Sequence, residues 1–225
     1  MTPPAIVARA LAEGLGMIAV CDHNSAANAA AVQEAAGTRL AVLAGMEIST
    51  AEECHVVALF PDAAAAQAAG AEVGATLGLV DEGYEAFFGE QRVLAADGRE
   101  RARETLALAT ATSLTVEAAV RLVHDHGGLA VAAHVDRRSF GVIGQLGLFP
   151  TDAGFDAVEL SRHVVPGSAD EAELAIHGLP VVHSSDAHYQ GDIGVVRTVL
   201  HCEHPTFSEL VLAFAGARGR SVGDA

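Results

Sequence analysis

The sequence predicts an α/β protein, built either on a barrel-like sheet or on an open one, and three observations lead to this class. Short apolar runs of strand length alternate with Ala-rich runs of helix length. No apolar run approaches the roughly 18–20 residues that a membrane span needs. With 51% hydrophobic residues and a mean hydropathy of +0.32, the chain can bury a sizeable core. We therefore expect one domain, spanning residues 1–225.

Local signals predict the elements in order along the chain. Thr2-Pro3 is an N-cap followed by proline, which predicts an opening helix that ends at Gly14. The apolar run Met17–Cys21 predicts a buried strand that stops at Asp22-His23-Asn24. Similar signals predict, in turn, a helix from Ser25 to Ala36, strands at Leu40–Met46, Glu47–Thr50 and Cys54–Phe60, helices from Pro61 to Leu77, at Arg103–Ala111 and at Val116–His126, a strand at Leu129–Ala133, a helix at Ser139–Leu146, a strand at Phe155–Leu160, a helix at Ala169–Ile176, strands at Pro180–Ser184 and Val195–Leu200, and a helix at Thr206–Ala217.

The strand that starts at Cys54 is predicted to run antiparallel to the segment before it. Only residues 51–53 separate the two, a distance too short for a parallel crossover. Folding the chain there brings Glu47 and His55 to the same end of a strand pair, within cross-strand reach. The turn explains how His55, which begins its apolar run, can still join residues that follow other strands.

Two segments depart from the alternation of strands and helices. Residues 78–103 are Gly-rich and acidic, and we interpret them as an excursion with a small hairpin around Gln91–Glu100. Residues 218–225 have no periodic pattern, and we expect a loose tail there.

Histidine and carboxylate side chains occur where several predicted strands end or turn. In α/β sheets and barrels the functional site lies at the carboxyl ends of the strands. Asp186 and His188 lie two residues apart and would point to the same side of an extended segment. An oxygen and a nitrogen ligand together suit a divalent transition metal. The candidate ligands are His23, Glu47, His55, His134, Asp186 and His188, with Asp22, Arg137, Arg162, His163, His183 and Tyr189 nearby.

Charge and composition limit the partners that we expect. The net charge is −16, and all thirteen basic residues are Arg. A field of that sign opposes non-specific binding to nucleic acid or anionic lipid, and the chain has only two Tyr and no Trp for base stacking. We therefore expect no long nucleic acid and no membrane as a partner. The absence of Lys excludes catalysis through a lysine amine.

The cysteines indicate a reducing compartment. There are three, widely spaced and without a Cys-x-x-Cys pair. We expect free thiols in a cytoplasmic protein and no structural zinc of the finger type.

Five stretches, which follow one another along nearly the whole chain, form a series of motifs. They are Ile18-Ala-Val-Cys-Asp-His-Asn24, Gly45-Met-Glu-Ile-Ser49, Cys54-His-Val-Val-Ala-Leu-Phe60, Ala133-His-Val-Asp-Arg137 and Ser185-Asp-Ala-His188. Jointly they resemble the PHP family, the polymerase and histidinol phosphatase superfamily of metal-dependent phosphoesterases. The resemblance implies a distorted (β/α)7 barrel with a centre of two or three metals, usually zinc, manganese or iron.

The first motif of that family is missing here. The family opens with a strand that carries His-x-His, so we expect a PHP-like barrel whose first strand is missing from this chain. Our hypothesis is that Met1 is an internal methionine. By resemblance, Glu47, His55 and His134 would form the fullest metal site. His23 and His188 would form most of a second site, and Asp186 with Glu47 would remain of a third.

The activity implied by the resemblance is metal-assisted hydrolysis of a phosphate ester, either a small phosphomonoester or a nucleotide. Asp186 would hold and bridge metals together with the glutamate of the second motif. Arg137 or Arg162 would clamp the phosphate. His188 or His163 would protonate the leaving oxygen. The oligomeric state stays open.

Two other functions remain open. The first is a degenerate PHP module that binds metal or ligand, without catalysis, in a regulatory or partner-binding role. The second is an amidohydrolase-type metal hydrolase. The missing motif favours the module, whereas the six retained ligands argue against it. The amidohydrolase is the weaker alternative because the chain has no His-x-His and no Lys to carboxylate.

Overall fold

A six-stranded sheet organises the fold. The computed structural model describes residues 1–165, 167–168, 174 and 178–223. The strands of this sheet are, in order across it, β1 (Met17–Val20), β2 (Ala41–Ser49), β3 (His55–Phe60), β6 (Leu129–Ala132), β7 (Ala157–Leu160) and β8 (Val181–His183). Two small antiparallel ribbons pair β4 (Arg92–Leu94) with β5 (Glu100–Arg103) and β9 (Leu200–His201) with β10 (Ser221–Val222). The helices are α1 (Pro3–Ala12), α2 (Ala29–Ala36), α3 (Ala63–Gly74), α4 (Tyr84–Phe88), α5 (Val116–Asp125), α6 (Val142–Leu146) and α7 (Phe207–Phe214).

The sheet is parallel except around β3. The pairs β1–β2, β6–β7 and β7–β8 are parallel, whereas β3 runs antiparallel to both of its neighbours. The sheet curls as a half-barrel, and over the described residues β1 and β8 form its two edges. The predicted α/β class is confirmed, and a distorted barrel is consistent with this sheet.

The predicted hairpin between β2 and β3 is present, and its register is fixed by a tight turn. Ser49 pairs with His55. In the turn, Thr50 donates its backbone N–H to the carbonyl of Cys54 at 2.8 Å and accepts the Cys54 N–H on its side-chain oxygen at 3.2 Å. The start of β3 therefore lies beside the end of β2.

Both faces of the sheet are covered, by clusters of unequal size. Val56, Ala58 and Phe60 alternate along β3 and are fully buried in the main core, together with residues of α1, α2, α3 and α5. Side chains alternate between the two faces of a strand. Leu59 therefore points to the other face, where it packs with Leu210 of α7 in a smaller cluster. None of the described helices has the length and apolarity needed to cross the bilayer.

The helix predicted at Arg103–Ala111 is wrong, because side chains from other segments bond its backbone. Gln91 donates to the carbonyl of Leu106 at 2.7 Å and accepts the N–H of Leu108 at 3.0 Å. The hydroxyl of Tyr84 accepts the N–H of Ala109 at 2.6 Å. The chain after β5 is therefore held in an irregular path by contacts that no local signal predicts.

Some predicted boundaries also differ from the structure. The strand expected at Val195–Leu200 is reduced to β9, and the helix expected from Ser25 begins only at α2. The helix predicted at Ala169–Ile176 lies largely outside the described residues. Part of the stretch expected as a loose tail forms β10, next to Arg220, whose Nε lies 2.9 Å from the Glu209 carboxylate.

The segment predicted as an excursion is a closed unit with a narrow base. It contains α4 and the hairpin of β4 and β5. At its base, Val80 donates its N–H to the carbonyl of Thr105 at 2.9 Å, and Ala107 donates to Gly78 at 2.8 Å. We refer to residues 78–107 as the insert.

Replacing Gly45 of β2 by alanine is expected to destabilise the protein. A Cβ at this position would lie 2.5 Å from the carbonyl oxygen of Ala58 and 2.7 Å from the sulfur of Cys21. Overpacking of this kind typically costs about 1–3 kcal/mol, measured as a lower urea midpoint. Gly16→Ala is the matched control, because its Cβ would meet nothing within 4 Å. Equal midpoints for the two variants would contradict the packing argument.

Candidate metal centre

A buried carboxylate lies at the centre of the histidine cluster. The side chain of Glu47 is 9% exposed. One of its oxygens lies 3.1 Å from Nδ1 of His23 and 3.1 Å from Nδ1 of His55. The other lies 3.5 Å from Nε2 of His134. Burying a carboxylate is costly without compensating partners, and here three imidazoles surround it.

Three separate strand ends deliver these imidazoles. His23 follows β1, and its backbone bridges that of Glu47 in a parallel manner, so the two residues lie side by side. His55 is the first residue of β3, which the antiparallel direction places at the same edge. His134 directly follows the end of β6 with a positive φ of 28°. The candidate ligands therefore meet at the carboxyl ends of the parallel strands.

The contacts within the cluster fit a divalent metal. The ligand atoms of His23, Glu47 and His55 all lie within 4.8 Å of one another. Within the described residues, Nδ1 of each of these histidines and of His134 is buried and makes no hydrogen bond with acceptable geometry. Unpartnered ring nitrogens beside a carboxylate oxygen are a donor set that zinc, manganese or iron accepts.

The grouping around Glu47 is wider than the one that the family resemblance implies. The resemblance joins Glu47 to His55 and His134, and joins His23 to His188. The structure places His23 and His55 at equal distances from one Glu47 oxygen and places His134 at the other oxygen. The carboxylate therefore stands between two groups of imidazoles.

Asp186 and His188 lie beside this cluster. The two residues follow β8, and both line the same cavity as Glu47. The ring of His188 lies 6.0 Å from that of His23. Its Nδ1 is 3.0 Å from the backbone carbonyl of Asp186, which can only accept, so Nδ1 is the donor in this contact and Nε2 is the ring nitrogen that this carbonyl does not engage. The structure thus brings all six predicted ligands to one edge of the sheet.

The two candidate phosphate-binding arginines differ in position. Arg137 lines the cavity, and its Nη1 lies 2.9 Å from a carboxylate oxygen of Asp186. Arg162 instead pairs with Asp192 at 3.1 Å. Neither Arg162 nor His163 is among the described residues that line the cavity. Of the two arginines, Arg137 is the one beside the cluster.

Electrostatics favour a charged Glu47. Burial raises the pKa of Glu47. The polar contacts with His134, His23 and His55 together lower it by more than burial raises it, so the net pKa lies well below its usual value. The contact with Glu47 raises the pKa of His23. Burial lowers the pKa of His134, but its contact with Glu47 outweighs this and the net pKa is raised. A carboxylate that stays ionised is available as a ligand at neutral pH.

Glu159 is a further buried carboxylate that the sequence reasoning missed. It lies on β7, is 6% exposed, and burial raises its pKa to about 7. The charges of Glu47 and Asp186 raise it too, whereas a hydrogen bond with Ser184 and the charge of His134 lower it. The available signal was a glutamate inside the apolar run that forms β7.

The cluster opens into a cavity of about 920 Å³. One side consists of strand ends and their loops. The insert supplies the opposite part of the lining, including Tyr84, Phe88 and Arg92. Asn28 joins the two parts, because it donates to Asp22 at 2.9 Å and accepts the N–H of Leu94 at 2.9 Å. The insert is therefore a wall of the candidate site.

Comparisons with known proteins agree with this architecture. The PHP-associated family model matches residues 172–217. A lesion-specific endonuclease from Pyrococcus furiosus, Endonuclease Q, superimposes with a TM-score of 0.73 at 18% identity over 99% of this chain. A metal-dependent phosphoesterase from Bifidobacterium adolescentis gives a TM-score of 0.57 at 21% identity, covering 84% of this chain and 83% of its own. These findings support the resemblance to the PHP family, and at 18–21% identity the structural likeness shows a common fold.

A third similar structure is an amidohydrolase, and the chain covers only part of the length of Endonuclease Q. An amidohydrolase from Chromobacterium violaceum, with bound sulfate and no metal, gives a TM-score of 0.56 at 22% identity, over 86% of this chain and 85% of its own. The chain described here spans 53% of the length of Endonuclease Q. A search of curated protein sequences found no match.

The expectation that long nucleic acid is not a partner is wrong. Endonuclease Q has this fold and has been crystallised with a 27-mer duplex substrate that carries an abasic lesion at its active site. That complex superimposes with a TM-score of 0.71 at 18% identity, over 98% of this chain and 53% of its own. The net charge of −16 describes the whole surface. Nucleic-acid binding depends on the field at one site, which a net charge summed over the chain does not describe.

The metal-free protein should lose stability as the pH rises from about 4.5 to about 7. The folded state holds the proton of Glu159 more tightly than the unfolded state does, because burial raises its pKa from 4.5 to about 7. The resulting stabilisation is fully present below the unfolded pKa and is lost as the pH passes the folded pKa.

The variant Glu159→Gln should flatten this part of the profile, measured as urea midpoints between pH 4 and 8. Glu34→Gln, on the exposed face of α2, is the control and should keep the wild-type slope. A profile for Glu159→Gln as steep as that of the wild type would rule out this origin.

Proposed function

We propose that this protein is a metal-dependent hydrolase of phosphate esters. One observation carries the proposal. A buried, ionised Glu47 stands among three imidazoles with unpartnered ring nitrogens, in a cavity that also contains an arginine. Such a donor set fits divalent metals, and the guanidinium fits a phosphate. The names of two similar structures, an endonuclease and a phosphoesterase, point to the same chemistry.

The metal ligands that we propose come from two groups. The first is Glu47 with His23, His55 and His134. The second is Asp186 with His188, whose Nε2 is the ring nitrogen that the Asp186 carbonyl does not engage. A bound divalent metal supplies an activated water and neutralises phosphate oxygens. The nitrogen-rich donor set favours zinc, manganese or iron.

Arg137 is the phosphate-binding residue that we propose. Its Nη1 is engaged by Asp186 at 2.9 Å, which fixes the planar guanidinium and leaves its other N–H groups for a phosphate oxygen. Arg162 remains the alternative, but its contact with Asp192 holds it at a different carboxylate. For the leaving oxygen, His188 is the proposed acid where it does not hold a metal, and it is better placed than His163 because it lines the cavity.

Cleavage of a phosphodiester in duplex DNA is the second candidate. It is favoured by the superposition on Endonuclease Q, which includes 99% of this chain. Since this chain spans about half of that protein, we propose that the region described here supplies the hydrolytic site. We also propose that residues 1–225 act as one domain and work in the cytoplasm.

Metal content and turnover together test the proposal. The protein should be stripped of metal, reloaded with zinc, manganese or iron, and assayed on a panel of phosphomonoesters and on a duplex with an abasic site. We expect two or more metals per chain and turnover of at least one phosphate ester. A chain that binds one metal or none and turns over no substrate would instead support the degenerate module.

Substituting Glu47 tests the centre itself. Glu47→Gln keeps the shape of the side chain but removes the charge that compensates the imidazoles, so bound metal should fall, as measured by elemental analysis. Hydrolysis should fall by about 100-fold or more, the order expected for losing a principal electrostatic group. Glu34→Gln on α2 is the control, with metal content and turnover unchanged. Full metal content and turnover in Glu47→Gln would overturn the assignment.

A further inference from the structure

Two half-exposed phenylalanines line the cavity that contains the candidate metal ligands. Phe88 of the insert is 50% exposed and Phe140, in the loop after β6, is 45% exposed. They reach the cavity from segments that are distant in sequence. Large apolar rings left open beside charged and polar side chains of one cavity are typical of ligand contacts rather than of a core.

Phe140 is held in place at a cost in backbone strain. Its φ is +64°, a left-handed conformation that is rare for a bulky residue. Its carbonyl accepts the N–H of His55 at 2.8 Å, and its ring stacks on the His55 imidazole with 4.6 Å between centroids and 16° between planes. One face of the ring thus packs on a candidate ligand.

Phe88 rests on a support that is itself fixed by hydrogen bonds. Its ring lies 4.7 Å from that of Tyr84. The Tyr84 hydroxyl donates to Gln91 at 2.8 Å and accepts the N–H of Ala109 at 2.6 Å. Phe87, which precedes Phe88, has its ring 4.7 Å from the Phe88 ring. Phe87 is nevertheless 82% exposed and is not among the described residues that line the cavity. The insert therefore presents one specific ring to the cavity.

We propose that Phe88 and Phe140 bind a planar aromatic group of the substrate, namely a nucleobase attached through its sugar to the phosphate that is hydrolysed. This inference rests on the proposed function. Phenylalanine faces stack on bases of any identity. A cavity of about 920 Å³ has room for a nucleotide beside the metal centre. The chain thus offers phenylalanine for stacking, despite its two Tyr and absent Trp.

The kinetic test compares two phosphomonoesters that differ in the base. AMP and ribose 5-phosphate carry the same ester, so their ratio of kcat/KM isolates the contribution of the ring. Phe88→Leu and Phe140→Leu keep an apolar side chain but remove the flat face. Each should lower the ratio by about three- to tenfold, the range for one lost ring contact. Phe87→Leu is the matched control and should keep the wild-type ratio.

The ratio also separates stacking from damage to the centre. Because Phe140 packs on His55, Phe140→Leu is expected to lower turnover of both substrates, but the ratio should fall only if the ring contacts the base. Unchanged ratios in both variants would overturn the inference while leaving phosphate ester hydrolysis intact.

A binding measurement makes the inference independent of turnover. The chain has no Trp, so the fluorescence of etheno-AMP can be followed against a low protein background in the metal-loaded protein. Its Kd should rise in Phe88→Leu and stay constant in Phe87→Leu. Binding that depends on Phe88, without hydrolysis of either ester or of any substrate of the phosphate ester panel, would refute the proposed function and keep the aromatic site.

Competition then distinguishes the two sources of a nucleobase. Displacement of etheno-AMP by a single-stranded oligonucleotide would place the base within a nucleic acid strand. Retention of etheno-AMP would assign the site to a mononucleotide. Etheno-AMP affinity that is equal in all variants would refute the aromatic site itself.

Discussion

The structure of the site depends on one interaction, the burial of the Glu47 carboxylate among imidazoles from three different segments. An isolated charge at this depth would be strongly unfavourable, so the segments that carry its partners must lie in register. A shift of one residue along β2 would turn Glu47 to the opposite face of the sheet, towards the main core around Met46 and Ile48. Register and site chemistry are therefore the same constraint.

Backbone strain is concentrated around this centre. Asn24, His134, Phe140 and Asp186 all have positive φ angles between 28° and 64°. The Asn24 side chain makes three hydrogen bonds, from the Ser49 N–H and to the carbonyls of Leu108 and Thr110. Strained residues persist where the surroundings hold them firmly, and they often mark functional positions. Here the loops that follow β1, β6 and β8 carry both the strain and the candidate ligands.

The sequence predicts those parts of the molecule that local rules determine. The short turn between β2 and β3 fixes an antiparallel pair, and apolar runs that end in histidine fix where the candidate ligands lie. The path of residues 104–111 was not predictable, because Gln91 and Tyr84 bond its backbone from outside the segment.

Within the site, the sequence predicts which residues gather but not all of their roles. Glu159 and Phe140 were missed, since neither a lone carboxylate in a strand nor a phenylalanine before a glycine has a specific pattern. The net charge did not predict the partner for a different reason, because a sum over 225 residues does not describe the field in one cavity.

The reversed direction of β3 has a consequence for how the site is enclosed. A regular repeat of strand and helix crosses the ligand-binding edge of the sheet once per unit. Here β3 leaves that edge, so α3 must return to it and α5 must leave it again before β6 arrives. The chain therefore has one additional connection at the edge of the sheet that carries the candidate ligands, between α3 and α5. The insert belongs to this connection. Because this connection lies between two helices and outside the sheet, its length and composition can change without disturbing strand pairing. The lining of the cavity can therefore evolve separately from the residues of the candidate metal centre.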